Sequence, residues 1–206
     1  MNRFDERARD WDSDPAKVER AKLTAQAIQT FLPPGEKLTA LEYGCGTGLL
    51  SFALKDDFNL ITMVDSSQGM LDVLSEKIRK ARITNMIPKK WDFTNQDLPS
   101  IRVDVIFSLL VLHHIPDTGT ILRHFSSLLN PNGYLFLADL EKEDGSFHGK
   151  DVTDVHRGFD HSELSSLAEA AGFQNIRFSP AFSVTKKIQD QEKIFPVFLM
   201  SARKNP

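Results

Sequence analysis

The chain has 206 residues, 41% of them hydrophobic and 26% charged. That is enough for one full α/β core, too short for two ordinary domains, and not the composition of a disordered chain. A net charge of -3 and a pI near 6.1 give no general attraction to phosphate backbones or acidic membrane surfaces.

In chain order, Val18, Ala21, Leu23, Ala25, Ala27, Ile28 and Phe31 fall largely on one helical stripe. Residues 15–31, opened by Asp14-Pro15 and closed by Pro33-Pro34-Gly35, therefore predict a first helix. Residues 38–43 predict a strand that runs into Gly44-Cys45-Gly46-Thr47-Gly48, and Leu49 continues as a helix. A second unit follows: a strand over 59–64 ending at Asp65, then a helix over 68–81 with Met70, Leu71, Leu74 and Ile78 at helical spacing. Residues 86–91 form a weakly patterned third strand ending at Asp92, and Asp97-Leu98-Pro99 shortens whatever helix comes next.

The near-continuous apolar run 103–110 is the pattern of a parallel strand covered on both faces, close to the sheet centre. A helix over 117–129, a turn at Asn130-Pro131-Asn132-Gly133 and a fifth strand over 134–139 follow. Residues 141–158 are polar, carry Gly145, Gly149 and Gly158, and predict a long loop or lid. Asp160 caps a helix over 162–171, which Gly172 ends. Residues 175–184 and 194–203, with no helix between them, predict an antiparallel hairpin at one sheet edge. The alternation predicts a Rossmann-like three-layer α/β sandwich with a seven-stranded, mostly parallel sheet whose last strand is antiparallel.

Glycines between a strand and a helix let the backbone turn sharply and approach a ligand, while the helix offers free N–H groups. A nucleotide-like ligand is implied. The dinucleotide fingerprint would need a glycine where Leu49 stands, which favours a ligand without pyrophosphate. Asp65, at the end of the second strand, suits both hydroxyls of a ribose. Asp92 and Phe93, at the end of the third, suit an adenine amino group and ring face.

These residues resemble the class I S-adenosylmethionine-dependent methyltransferases, in particular the small-molecule branch that includes the ubiquinone-biosynthesis type. The resemblance lies in residues 41–51, 64–71, Asp92-Phe93, 104–117 and 129–139, with further likeness in residues 4–12 and Gly158-Phe159-Asp160. It implies that Glu42, Gly44 and Gly46 hold the methionine end of the cofactor and Asp65 the ribose. Ser66 and Met70 would border the adenine, with Asp92 and Phe93 on its far edge, and Leu109 or Leu110 would form the floor under the sulfonium. Phe4 and Trp11 would belong to a lid. On this likeness the chain is one domain over 1–206, with lid and first helix in 1–34, cofactor-binding core in 35–140, and substrate-side loop and closing hairpin in 141–206.

Methyl transfer starts from an activated donor, so alignment supplies much of the acceleration and a base is optional. His113 and His114 follow the central strand where the methyl should point, and a neutral imidazole there can take an acceptor's proton. His148, His156 and Phe159 are expected to reach the acceptor pocket from the polar segment. His148, His156 and His161, with Asp151, Asp154 and Asp160, match no compact metal motif, and Ser108-Leu109-Leu110 stands where a metal-binding carboxylate would be wanted, so no metal is expected. Cys45 is expected to pack as a small apolar residue.

The expected activity is methyl transfer from S-adenosyl-L-methionine to a small-molecule acceptor, with S-adenosyl-L-homocysteine as product. The alternatives are an RNA or protein methyltransferase, for which Lys186-Lys187, Lys89-Lys90 and residues 79–82 are the only local basic clusters, and a non-catalytic cofactor-binding regulator. A single cysteine, a charged start without an apolar signal core and no run of about eighteen apolar residues predict a cytoplasmic chain with no membrane or nucleic-acid partner. Nothing in the sequence sets the oligomeric state.

Overall fold

Pro15 sits in the first turn of α1 (Pro15–Gln29), where its missing N–H costs nothing, and the Ala16 N–H donates to the Asp14 carboxylate at 2.9 Å. The computed structural model describes residues 4–36, 38–92, 97–149, 152 and 154–206. β1 (Leu38–Tyr43), α2 (Leu49–Leu54), β2 (Phe58–Asp65) and α3 (Gln68–Ala81) follow as two β-α units, with Ser67 capping α3 through the Met70 N–H. Next come β3 (Met86–Lys90), β4 (Val103–Leu109), α4 (Thr118–Leu128), β5 (Leu129–Leu140), α5 (His161–Ala170), β6 (Phe173–Ile188) and β7 (Gln191–Lys204).

The strands form one seven-stranded sheet of order β3-β2-β1-β4-β5-β7-β6. β7 is antiparallel to both of its neighbours, and the β1, β2, β3, β4 and β5 pairings are parallel. Alternate strand residues face opposite layers. On one face Ala40, Ile61, Met63, Phe107 and Phe136 pack with Ala21 and Ile28 of α1, Leu50 and Leu54 of α2 and Leu74 of α3. On the other, Leu41, Val64, Ile106 and Leu135 pack with Leu122 and Phe125 of α4 and Leu164 of α5. The order reverses between β1 and β4, and at such a switch point the carboxyl ends of the strands leave a crevice.

Three local expectations change. β3 stops at Lys90, so Asp92 stands beyond the strand. Residues 130–133 stay within β5 as a bulge: the register passes from Val103↔Leu129 to Val105↔Tyr134, and Asn132 takes φ 59°. The closing hairpin is longer than its apolar pattern, because β6 and β7 pair out to Ile188↔Gln191 across Gln189 and Asp190, both at positive φ as a two-residue type I′ turn requires.

Candidate functional site

The loop after β1 is stitched to the end of β2. The Gly44 and Cys45 N–H groups both donate to the Val64 carbonyl, at 2.8 and 3.0 Å. The Gly46 N–H donates to one oxygen of Asp65 at 2.7 Å and the Ser67 N–H to the other at 2.8 Å. The glycines serve different ends. A Cβ on Gly44 would lie 2.4 Å from Val111, so this glycine lets the loop lie against the segment after β4. A Cβ on Gly46 would meet only the Met70 sulfur, at 3.9 Å, leaving the outer side of this residue open.

The Asp65 oxygens accept from the backbone of Gly46 and of the turn at Ser66 and Ser67, and a carboxylate has about four lone-pair sites, so acceptor capacity for a ligand hydroxyl remains. Burial raises its pKa against the pull of these N–H donors. Glu42 lies deeper, 3% exposed, accepting from the Ser51 hydroxyl. Burial pushes its carboxyl up to about 8, with the Ser51 bonds acting the other way. The Cys45 thiol is buried and held well above its usual range by burial and by Glu42 and Asp65, which makes it an inert packing residue, as its sequence context implies.

Met70 is buried and Ser66 exposed, while Asp92, Leu109 and Leu110 are half-buried. Phe93 lies outside the described residues. Leu110 has φ 55°, sparsely populated for a bulky side chain, and its N–H donates to the Ala138 carbonyl at 2.8 Å.

The N-terminal segment docks on this end of the sheet. Asp5 accepts from the Ser67 hydroxyl at 2.6 Å and the Gly69 N–H at 3.0 Å, at the start of α3. Asp12 accepts from the Thr47 hydroxyl of the glycine loop and from Lys77 Nζ, each at 2.5 Å. The Phe4 ring meets Trp11 and His114 edge-on, at 6.1 and 5.7 Å between centroids. Sequence reasoning found the two aromatics and missed the two carboxylates that fasten them; acidic residues in a charged stretch carry no signal of which helix start they will cap.

After β4 the chain makes a short 3-10 turn, Leu112–His114. His113 is 1% exposed, and its Nδ1 lies 2.7 Å from Asp139, whose second oxygen accepts the His113 backbone N–H at 3.2 Å. The His113 Nε2 is buried with no hydrogen-bond partner among the described residues. The His114 ring lies 4.1 Å from that of His113, and the His148 ring 4.9 and 5.0 Å from these two. The structure thus brings His113, His114, His148 and Phe4 together.

His156 and Phe159 are not in that group. The His156 N–H donates to the His113 carbonyl at 2.7 Å and its Nε2 lies 2.9 Å from the Ile115 carbonyl, so it pins the 3-10 turn from beneath. Phe159 is 8% exposed, packed in the α4–α5 core and bridged to Glu141; it is a core residue, correcting its place in the lid. His161 stacks on Phe178 and pairs with Glu141. The described residues of 141–158 form a loop, as expected, but an anchored one, since Phe147 is buried against Phe195 and its carbonyl accepts from Lys186.

Residues 17–177 match the family model described as a methyltransferase domain. An uncharacterized methyltransferase of Schizosaccharomyces pombe is 33% identical over 67% of this chain and 54% of its own length. A ubiquinone biosynthesis O-methyltransferase of Coxiella burnetii is 26% identical over 69% of this chain and 62% of its own length. The chain therefore spans a little over half the length of these curated relatives. The fold matches that of a putative methyltransferase solved in complex with the Haloferax volcanii Trm112 methyltransferase activator, with TM-score 0.77 at 18% identity, covering 100% of this chain and 99% of that one. Among the described residues no helix is long and apolar enough to cross a membrane.

Proposed function

The chain belongs to the methyltransferase domain family, with the class I fold and S-adenosylmethionine as the family's methyl donor, and from that premise we propose that it methylates a small-molecule acceptor. The observation that carries the reading is the convergence, at one end of the sheet, of the open backbone at Gly46, the Asp65 carboxylate and the His113–Asp139 pair. The cofactor fits this setting: the outer side of Gly46 has room for a ligand, and Asp65 keeps acceptor capacity for ribose hydroxyls. When bound, S-adenosylmethionine supplies a methyl group activated on a sulfonium and leaves as S-adenosylhomocysteine.

The chain's own residues then bind, orient and deprotonate. Asp65 holds the ribose, Glu42, Gly44 and Gly46 border the methionine end, and Ser66, Met70 and Asp92 surround the adenine. Leu109 and Leu110 form the floor beneath the reacting centre. His113, oriented by Asp139, and His114 take the proton of an acceptor hydroxyl, and Phe4, Trp11 and His148 exclude water from that side. An oxygen acceptor is favoured by the imidazoles at this position and by the Coxiella relative, named for an O-methyl transfer.

Calorimetry with S-adenosylmethionine and S-adenosylhomocysteine tests the donor site. Asp65→Ala removes bonds from a charged acceptor to two hydroxyls and should weaken both ligands by roughly 100-fold. Equal affinity in the variant would remove the ribose assignment, and no binding by wild type would remove the reading. Methyl-labelled donor incubated with cell extract should leave label in the small-molecule fraction; label confined to precipitated protein or RNA would overturn the acceptor class.

A further inference from the structure

We propose that His113, His114 and His148 form a binding site for a divalent transition-metal ion of the zinc type. One ring nitrogen from each lies within 4.8 Å of the others. A tetrahedral ion about 2.0–2.1 Å from each nitrogen needs them roughly 3.3 Å apart, so the rings would close in by up to about 1.5 Å on binding.

His113 is built as a ligand. Its Nδ1 faces the Asp139 carboxylate at 2.7 Å, the arrangement that fixes a metal-binding histidine's tautomer and ring orientation. With the proton on Nδ1, the lone pair of Nε2 points away from Asp139. That atom is fully buried and has no hydrogen-bond partner among the described residues. A buried nitrogen in that state costs stability unless something binds it. The Asp139 carboxylate is itself 1% exposed. Its hydrogen bonds come from the His113 and Leu140 N–H groups and the His113 ring, and among the described residues His113 is its only ion-pair partner. A dication on the far nitrogen of the ring would balance this buried anion.

The supporting chain is held in place. His113 and His114 sit on the 3-10 turn that His156 pins from below. His148 follows Phe147, whose N–H and that of Gly145 both donate to the Glu143 carboxylate. The cluster joins ligands from two separate stretches, which is why their spacing along the chain matches no metal motif.

Three imidazoles select zinc, cobalt or nickel over magnesium and calcium, which require oxygen ligands. Three protein ligands leave a fourth position open, as in zinc sites that act on a substrate. Its occupant would be water or an oxygen of the methyl acceptor, and the bound ion would then take over from the His113 and His114 imidazoles the activation of that oxygen; that role rests on the methyl-transfer reading, whereas metal binding does not.

The test uses tag-free full-length protein stripped with a chelator. Cobalt(II) titration should give visible ligand-field absorption saturating at one ion per chain, and zinc should displace it. His148→Ala should weaken cobalt binding by roughly 100-fold, and Asp139→Asn by about 10–100-fold through His113. Retained binding of S-adenosylhomocysteine shows that each variant is folded. Absence of saturable binding by wild type, or unchanged affinity in both His148→Ala and His113→Gln, would overturn the site. S-adenosylhomocysteine binding by stripped wild type would meanwhile leave the methyl-donor reading standing.

Discussion

Glu42 keeps its proton at neutral pH because burial denies its carboxylate water, with a pKa near 8 against 4.5 for a free side chain. The folded state therefore holds this proton more tightly than the unfolded state, so the stability linked to it is complete below about pH 4.5, falls as pH rises toward 8, and is flat beyond. Glu42→Gln removes that slope. In urea unfolding at pH 6 and pH 8, wild type should lose more stability over the interval than the variant; parallel losses would show that Glu42 ionises at an ordinary pH. At this scale the sequence was informative about position wherever local geometry sets it, as with the Gly44–Gly48 loop between β1 and α2 and the Asp65 carboxylate that ends β2. It was silent on Asp139. Only the pairing of β4 with β5 sets the end of one strand beside the turn that follows the other, so a carboxylate closing an apolar strand acquires its partner from tertiary structure.

Among the elements, periodicity located the helices and strands well, because their burial follows the 3.6 and 2 residue repeats. It misplaced residues 130–133, where the turn residues are real and Asn132 does adopt positive φ, but the neighbouring strands keep the chain in the ladder as a bulge. The N-terminal segment has no periodicity and is fixed by capping: Asp5 closes the start of α3, and Asp12 ties Thr47 to Lys77. If this segment covers the bound donor, its contacts set the release rate. A helix-start cap contributes about 1 kcal/mol and a partly exposed ion pair up to about 1, so Asp5→Ala with Asp12→Ala should speed S-adenosylhomocysteine release roughly 10- to 30-fold, with little change in association. Stopped-flow displacement reads this directly, and an unchanged release rate would mean that the segment packs on the domain without gating the site.

For the whole molecule, alternation of strand and helix constrains a parallel sheet with right-handed crossovers, and so the meeting of β1, β2 and β4 at one end was legible before any coordinate. The insertion of β7 between β5 and β6 was not, since its pairing partner is chosen by the apolar faces of strands far apart in sequence. The consequence of the meeting is cooperative. A ligand seated at Gly46 and Asp65 touches a loop that also carries Val111, Lys77 and the N-terminal segment, so its binding energy should be felt by the global unfolding transition. S-adenosylhomocysteine at about 100 times its Kd should add roughly 2.7 kcal/mol, or about 5–10 °C in melting temperature for a chain of this size. The same concentration should shift Asp65→Ala by no more than a degree or two, since roughly 100-fold weaker binding leaves the site only about half filled. Equal shifts in the two proteins, measured by scanning calorimetry, would mean that the ligand is held away from the end of β2, and the convergence of strand ends would lose its role.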